Sequence, residues 1–162
     1  MPDRALRDRL IELENPATDL DRGRALRKRT PRRSLARLTP SPRAAVEILL
    51  DQNETRLPEL VPLRFARMLA DPFAFYRGTA AVMAADLAAG PSSGIDVMCC
   101  GDAHLGSAHA SVLRGYVGTS DAVANAIIEW SFAYADKSLD DFHQLQAAAR
   151  ARDIDVAESP AR

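Results

Sequence analysis

Residues 71–104 read DPFAFYRGTAAVMAADLAAGPSSGIDVMCCGDAH, and this stretch decides the fold class. Asp71-Pro72 is a helix start. The carboxylate can accept from the first unpaired backbone N–H groups, and proline suits the first helical position because its missing N–H would have no partner there. The run from Phe73 to Ala89 predicts one helix stopped by Gly90. Pro91-Ser92-Ser93-Gly94 is turn chemistry, and Ile95–Cys100 is short, apolar and partly β-branched, the best strand candidate in the chain. No neighbouring strand can be found for it, so the expected fold is mainly α with one short β-strand.

The flanking sequence is helical in pattern. Upstream, Ser41-Pro42 predicts a cap and first turn for AAVEILLDQNETR, and LVPLRFARMLA continues at helical spacing. Downstream, AHASVLRGYV reads as a helix, Ser120 caps DAVANAIIEWSFAYA, and a separate last helix covers roughly Leu139 to Arg152. The large side chains Ile127, Ile128, Trp130, Phe132, Tyr134, Phe142 and Leu145 call for a core.

Composition narrows the function classes. The chain has 162 residues, with 21 Lys+Arg against 22 Asp+Glu, 47% hydrophobic and 27% charged. That balance fits an ordinary globular protein and excludes collagenous and wholly disordered chains. No apolar run approaches the ~20 residues of a membrane span, and the N-terminus lacks a signal-peptide core, so a cytoplasmic location is expected. The only cysteines, Cys99 and Cys100, are adjacent and cannot readily adopt disulfide geometry. Charge is unevenly spread: nine basic residues from Arg22 to Arg43 include no intervening carboxylate. Within that run Arg27, Lys28, Arg29, Arg32 and Arg33 are phosphate-binding candidates, because guanidinium forks pair with phosphate oxygens. The plainer reading is a solvated arm, since Pro31, Pro40 and Pro42 interrupt it and no aromatics are interleaved. The expected organisation is a basic, partly disordered arm over 1–40, a segment of helices, strand and loop over 41–105, and a helical segment over 106–162.

Chemistry is concentrated after the strand. Asp102 can accept a proton from a substrate hydroxyl, and His104 can brace its loop; the plainer alternative is a turn in which Asp102 caps backbone N–H groups and His104 packs. Cys99, Cys100, Asp102, His104 and His109 lie close in sequence, but neither C-x-x-C nor H-E-x-x-H is present, and no metal site is assigned. G-x-S-x-G is absent, which argues against a nucleophile elbow.

Two stretches together resemble a known family, the bacterial proteins called domain of unknown function 2252. The first comprises GRALRKRTPR from Gly23, RLPELVPLRFARMLADPFAFYRGTAAVMAADLA from Arg56, and CGDAHL from Cys100. The second runs from Ala108 to Ile154, where the family's G-Y-x-G-x-S-D is found at Gly115–Asp121 and its Y-A-D-Q at Tyr134–Lys137, with Lys137 replacing the usual glutamine. The resemblance implies a remnant of an α+β, kinase-like architecture. In it Asp102 would match the catalytic-loop aspartate and His104 its bracing histidine, while Ser107 stands where a metal-binding asparagine belongs. Family segments carrying N-D-F-D-E, a Gly-rich turn and V-K-E-A are missing, and Lys137 does not replace the absent lysine. This reads as a large internal deletion near Leu105 to Ala108.

The resulting expectation is a truncated or degenerate member without independent catalysis and without a cofactor, either a decayed gene product or a pseudoenzyme that binds through its basic arm and helical surface. Apolar faces left uncovered would favour self-association. Two alternatives differ in class: a phosphotransferase using Asp102, ATP and Mg²⁺, completed by another chain, and phosphate or nucleic-acid binding through the Arg22–Arg43 arm.

Overall fold

The computed structural model describes residues 16–95 and 110–158. These form seven α-helices: α1 (Pro16–Arg29), α2 (Ala45–Asn53), α3 (Val61–Met68), α4 (Pro72–Gly78), α5 (Ala80–Ala89), α6 (Ala110–Val117) and α7 (Ala122–Ala151). Short 3-10 turns occupy Arg32–Ala36 and Pro58–Leu60, and no strand occurs among the described residues. The mainly helical class is therefore observed. Of the expected strand only Ile95 is described, and it is not in a strand; the rest lies outside the described residues. Nor is any helix among the described residues long and apolar enough to cross a membrane.

The chain divides into two compact units, one drawing on Met1–Arg37 and Pro91–Glu129, the other on Leu38–Gly90 and Trp130–Arg162. In the first, α1 and α6 touch backbone to backbone. A Cβ on Gly23 would lie 2.1 Å from the Val112 carbonyl oxygen, and one on Gly115 would lie 2.3 Å from that of Leu20. Only glycine permits so close a crossing. Tyr116, 2% exposed, donates its hydroxyl to the Thr30 carbonyl at 3.0 Å, and Thr30 Oγ1 donates to the Ser92 carbonyl at 3.0 Å. The Gly23 of GRALRKR and the Gly115-Tyr116 of G-Y-x-G thus meet. The stretch expected as a solvated arm is helical over Pro16–Arg29 and packs through Gly23, a contact that a reading of charge does not register.

The second unit holds the main core. Ile48, Leu49, Phe65, Phe75, Val82, Phe142, Leu145 and Ile154 are buried together, with the Phe75 and Phe142 rings tilted at 60° and 5.8 Å apart. Each fully buried side chain of this kind stabilises the fold by about 1.5–3 kcal/mol relative to exposure. Asp71 caps α4 as its sequence predicts, Oδ1 accepting from Ala74 N at 2.8 Å with Pro72 in the first turn.

Elsewhere the helix boundaries differ from expectation. The helix expected from Phe73 to Ala89 is broken at Gly78-Thr79. The Thr79 hydroxyl and N–H both return to the Tyr76 carbonyl, and Arg64 Nη2 takes the Gly78 carbonyl at 3.1 Å, so the carbonyls that would continue the ladder are occupied. Ser41 is not the cap of α2, which starts at Ala45 without a side-chain cap; its N–H is instead committed to Asp86 Oδ1 at 2.7 Å. The two C-terminal helices are one helix of 30 residues. It ends with Arg152 at φ 64, where Asp153 N bonds to Ala148 O and Arg152 N to Ala149 O, the paired closure of a left-handed helix terminus.

Candidate functional site

The sequence-predicted catalytic residues Asp102 and His104 lie outside the described residues, as do Cys99, Cys100, Ser107 and His109. The basic candidates are described, and they divide. Arg32 Nη1 donates to the Val117 carbonyl. Gly118, at φ +68, leaves room above itself that a Cβ would fill 2.6 Å from Arg27 Nη1 and 3.1 Å from Arg32 Nη1. Both guanidiniums therefore lie over the C-terminus of α6, where unpaired carbonyls and the negative end of the helix dipole favour cations. Arg27 and Arg32 are engaged within the unit. Lys28, Arg29 and Arg33 are exposed. Arg33 lines a groove with Asp121, Asn125 and Glu129, and those carboxylates oppose a phosphate there. The five candidates do not converge on one site.

A different set of arginines does converge. In the second unit an open groove of about 1130 Å³ is lined by Arg56, Arg64, Arg67 and Arg77, and among the described residues no carboxylate lines it. Its wall is one face of α3, because Leu60, Leu63, Arg64 and Arg67 recur at intervals of three and four. The opposite wall comes from α4 and the start of α5, through Ala74, Arg77, Gly78 and Ala80.

Arg64 is half-buried at the base. Its guanidinium donates to Asn53 Oδ1 at 3.0 Å, Gln52 Oε1 at 2.7 Å and the Gly78 carbonyl at 3.1 Å, all neutral acceptors. Burial, and then the Arg56 charge, hold its pKa below the ordinary arginine value. Its positive charge is thus fixed in position by dipoles but not neutralised. Arg56, Arg67 and Arg77 are exposed around it, Arg77 over the Phe73 ring at 5.9 Å. Among the described residues none of the four makes an ion pair. An entering anion would meet uncompensated guanidinium forks, the arrangement that suits bidentate binding of phosphate or carboxylate oxygens. These arginines are dispersed in the sequence, between Arg56 and Arg77. The available signal was Arg64 and Arg67 on one helical face, with Glu59 and Asp71 the only acids between Arg56 and Arg77.

Lys137 sits in a second ionic cluster of the same unit. Its ammonium lies 2.6 Å from Asp141 Oδ2 and 3.1 Å from Asp86 Oδ2, with side-chain exposures of 17% for Lys137, 6% for Asp141 and 0% for Asp86. Asp86 Oδ1 accepts from Ser41 N, while Oδ2 makes no hydrogen bond and is compensated only ionically by the lysine. Burial alone would lower the Lys137 pKa, but Asp141 and Asp86 outweigh it and raise it. One ammonium shared by two carboxylates leaves the acids short of compensation. Burial raises the Asp141 pKa, with Asp86 adding to the rise against the pull of Lys137. Tyr134, stacked on Trp130 at 4.7 Å, has its hydroxyl pKa pushed up by burial and by both carboxylates. Every polar partner of Lys137 belongs to this closed triad, which makes it a structural group.

No curated protein and no solved structure matches the chain. A family model described as "Uncharacterized protein conserved in bacteria (DUF2252)" matches residues 56–107. That segment contains all four groove arginines, the buried Asp86, and the Gly101–His104 sequence. Over residues 56–107, about a third of its length, the chain is similar to the DUF2252 family.

Proposed function

We propose that this chain acts by binding a phosphate-bearing anion in the arginine groove, without catalysis of its own. The observation that supports this most directly is Arg64, a half-buried cation held by three neutral acceptors within a groove that has three further arginines and, among the described residues, no lining carboxylate. A half-buried guanidinium whose acceptors are all neutral keeps its charge available to an incoming anion. Here the missing counter-charge is the ligand's. In this reading Asp102 and His104 are spectators, and Arg27 and Arg32 shape the first unit.

Titration calorimetry with pyrophosphate tests the proposal. Binding should weaken as salt is raised, and should fall about tenfold or more in Arg67→Gln or Arg77→Gln, since one charge-assisted hydrogen bond contributes ~1.5–3 kcal/mol. Lys28→Gln/Arg29→Gln should leave it unchanged. Absence of binding, or binding that follows Lys28 and Arg29 in place of Arg67 and Arg77, would overturn the assignment.

A further inference from the structure

The groove has an apolar side that an inorganic anion would not use. Leu57 is 60% exposed and Leu60 52% exposed, and both line the same groove as the arginines, with Leu63 beside them. Leu57 and Leu60 lie at the Pro58–Leu60 turn, directly before the helix that carries Arg64 and Arg67. Apolar and cationic side chains therefore line one groove, and among the described residues of the second unit nothing covers the two leucines.

The geometry points to an anionic amphiphile as the occupant, a phosphate head held by Arg64, Arg67 and Arg77 and a short apolar body laid along Leu57, Leu60 and Leu63. This inference rests on the anion-binding reading above and adds the chemical class of the ligand. Both parts of the surface are needed to specify it: guanidinium forks favour the head, and exposed leucines gain from apolar contact. Concavity decides between sources. A groove of about 1130 Å³ receives a single molecule, whereas a lipid bilayer would require the leucines and arginines to project from a convex face. The ligand is accordingly a soluble monomeric amphiphile.

The test compares inorganic phosphate with octyl phosphate, kept below its micelle-forming concentration, by titration calorimetry on the full chain. Octyl phosphate should bind at least about tenfold more tightly, the gain expected from burying two methylene groups. Leu57→Asn/Leu60→Asn should remove that gain and leave phosphate affinity unchanged; both positions are exposed, and far-UV circular dichroism should confirm an intact helical content. Phosphate binding that depends on Arg67 but gains nothing from the alkyl chain would refute the amphiphile and leave the anion site standing. Failure of both ligands to bind would refute both. Sedimentation with phosphatidic acid vesicles without binding of monomeric octyl phosphate would transfer the surface to a membrane and overturn the inference.

Discussion

Replacing Lys137 by methionine is the most severe single change the structure allows without altering side-chain bulk. Lys137→Met keeps most of the aliphatic stem, so little packing is lost. What goes is the cation between Asp86 and Asp141, whose side chains are 0% and 6% exposed. Breaking a buried ion pair from one side costs about 3–5 kcal/mol, because the remaining charge is left desolvated. For a chain of this length each kcal/mol lowers the melting temperature by roughly 2–4 °C, so a fall of ~6–20 °C is expected. Urea unfolding followed by far-UV circular dichroism at pH 7 measures the same loss as a free energy. Adding Asp86→Asn should recover a substantial part of it, since asparagine removes the buried charge and still accepts from Ser41 N. The pH dependence carries a sign. Lys137 has a folded pKa raised above 10.5, so its stabilisation is complete below that value and is lost as pH rises through the folded one. Tyr134, raised above 10.0, also favours unfolding once the unfolded chain ionises. The deficit of Lys137→Met should therefore shrink in strong alkali, and also in acid as Asp141, already raised by burial, takes up a proton. A loss below about 1 kcal/mol at pH 7, or an equal loss in the Asp86→Asn background, would refute the ionic account.

Four further outcomes follow from other parts of the chain. Gly115→Ala should disrupt the first unit, because its methyl would overlap the Leu20 carbonyl at 2.3 Å; protease cleavage within 16–37 should become rapid. Asp71→Ala should cost ~1 kcal/mol through loss of the α4 cap, measurable in the same urea titration. Asp102→Ala should leave Mg²⁺-dependent phosphoryl transfer at background, and micromolar ATP binding lost on this change would revive the phosphotransferase alternative. Phe73 and Phe132 are 68% and 73% exposed, so the native protein should bind a hydrophobic dye or self-associate, and a monodisperse, dye-silent monomer would argue otherwise.

Local signals in the sequence were legible where a residue acts on its immediate neighbours. Asp71-Pro72 starts α4 as capping chemistry requires, and Gly90, in extended backbone, follows the end of α5. Signals that depend on distant partners were not legible. Ser41 looks like a cap, but its Oγ accepts from Arg43 N ahead of the helix and its N–H donates to Asp86, 45 residues away, while the helix starts at Ala45. The polar run Asp136-Lys137-Ser138 looks like a helix boundary, yet Lys137 reaches Asp141 along the same helix and Asp86 from another, and the helix continues. The groove was hidden for a similar reason. A dense basic run draws attention at Arg22–Arg43, whereas folding gathers four arginines scattered over α3, α4 and the segment after α2.

The glycine crossing of α1 and α6 has a consequence for the order of assembly. Thr30 and Tyr116, which join across it, are 86 residues apart in the chain, while α2 to α5 follow one another through short connections. Closing a loop of that length carries a large entropic cost before any contact rewards it, and low-separation contacts form faster. The α2–α5 segment is thus the early-forming part of the chain, and its collapse shortens the effective loop that α1 and α6 must close. Contact separation predicts that α2–α5 forms ahead of the crossing of α1 and α6.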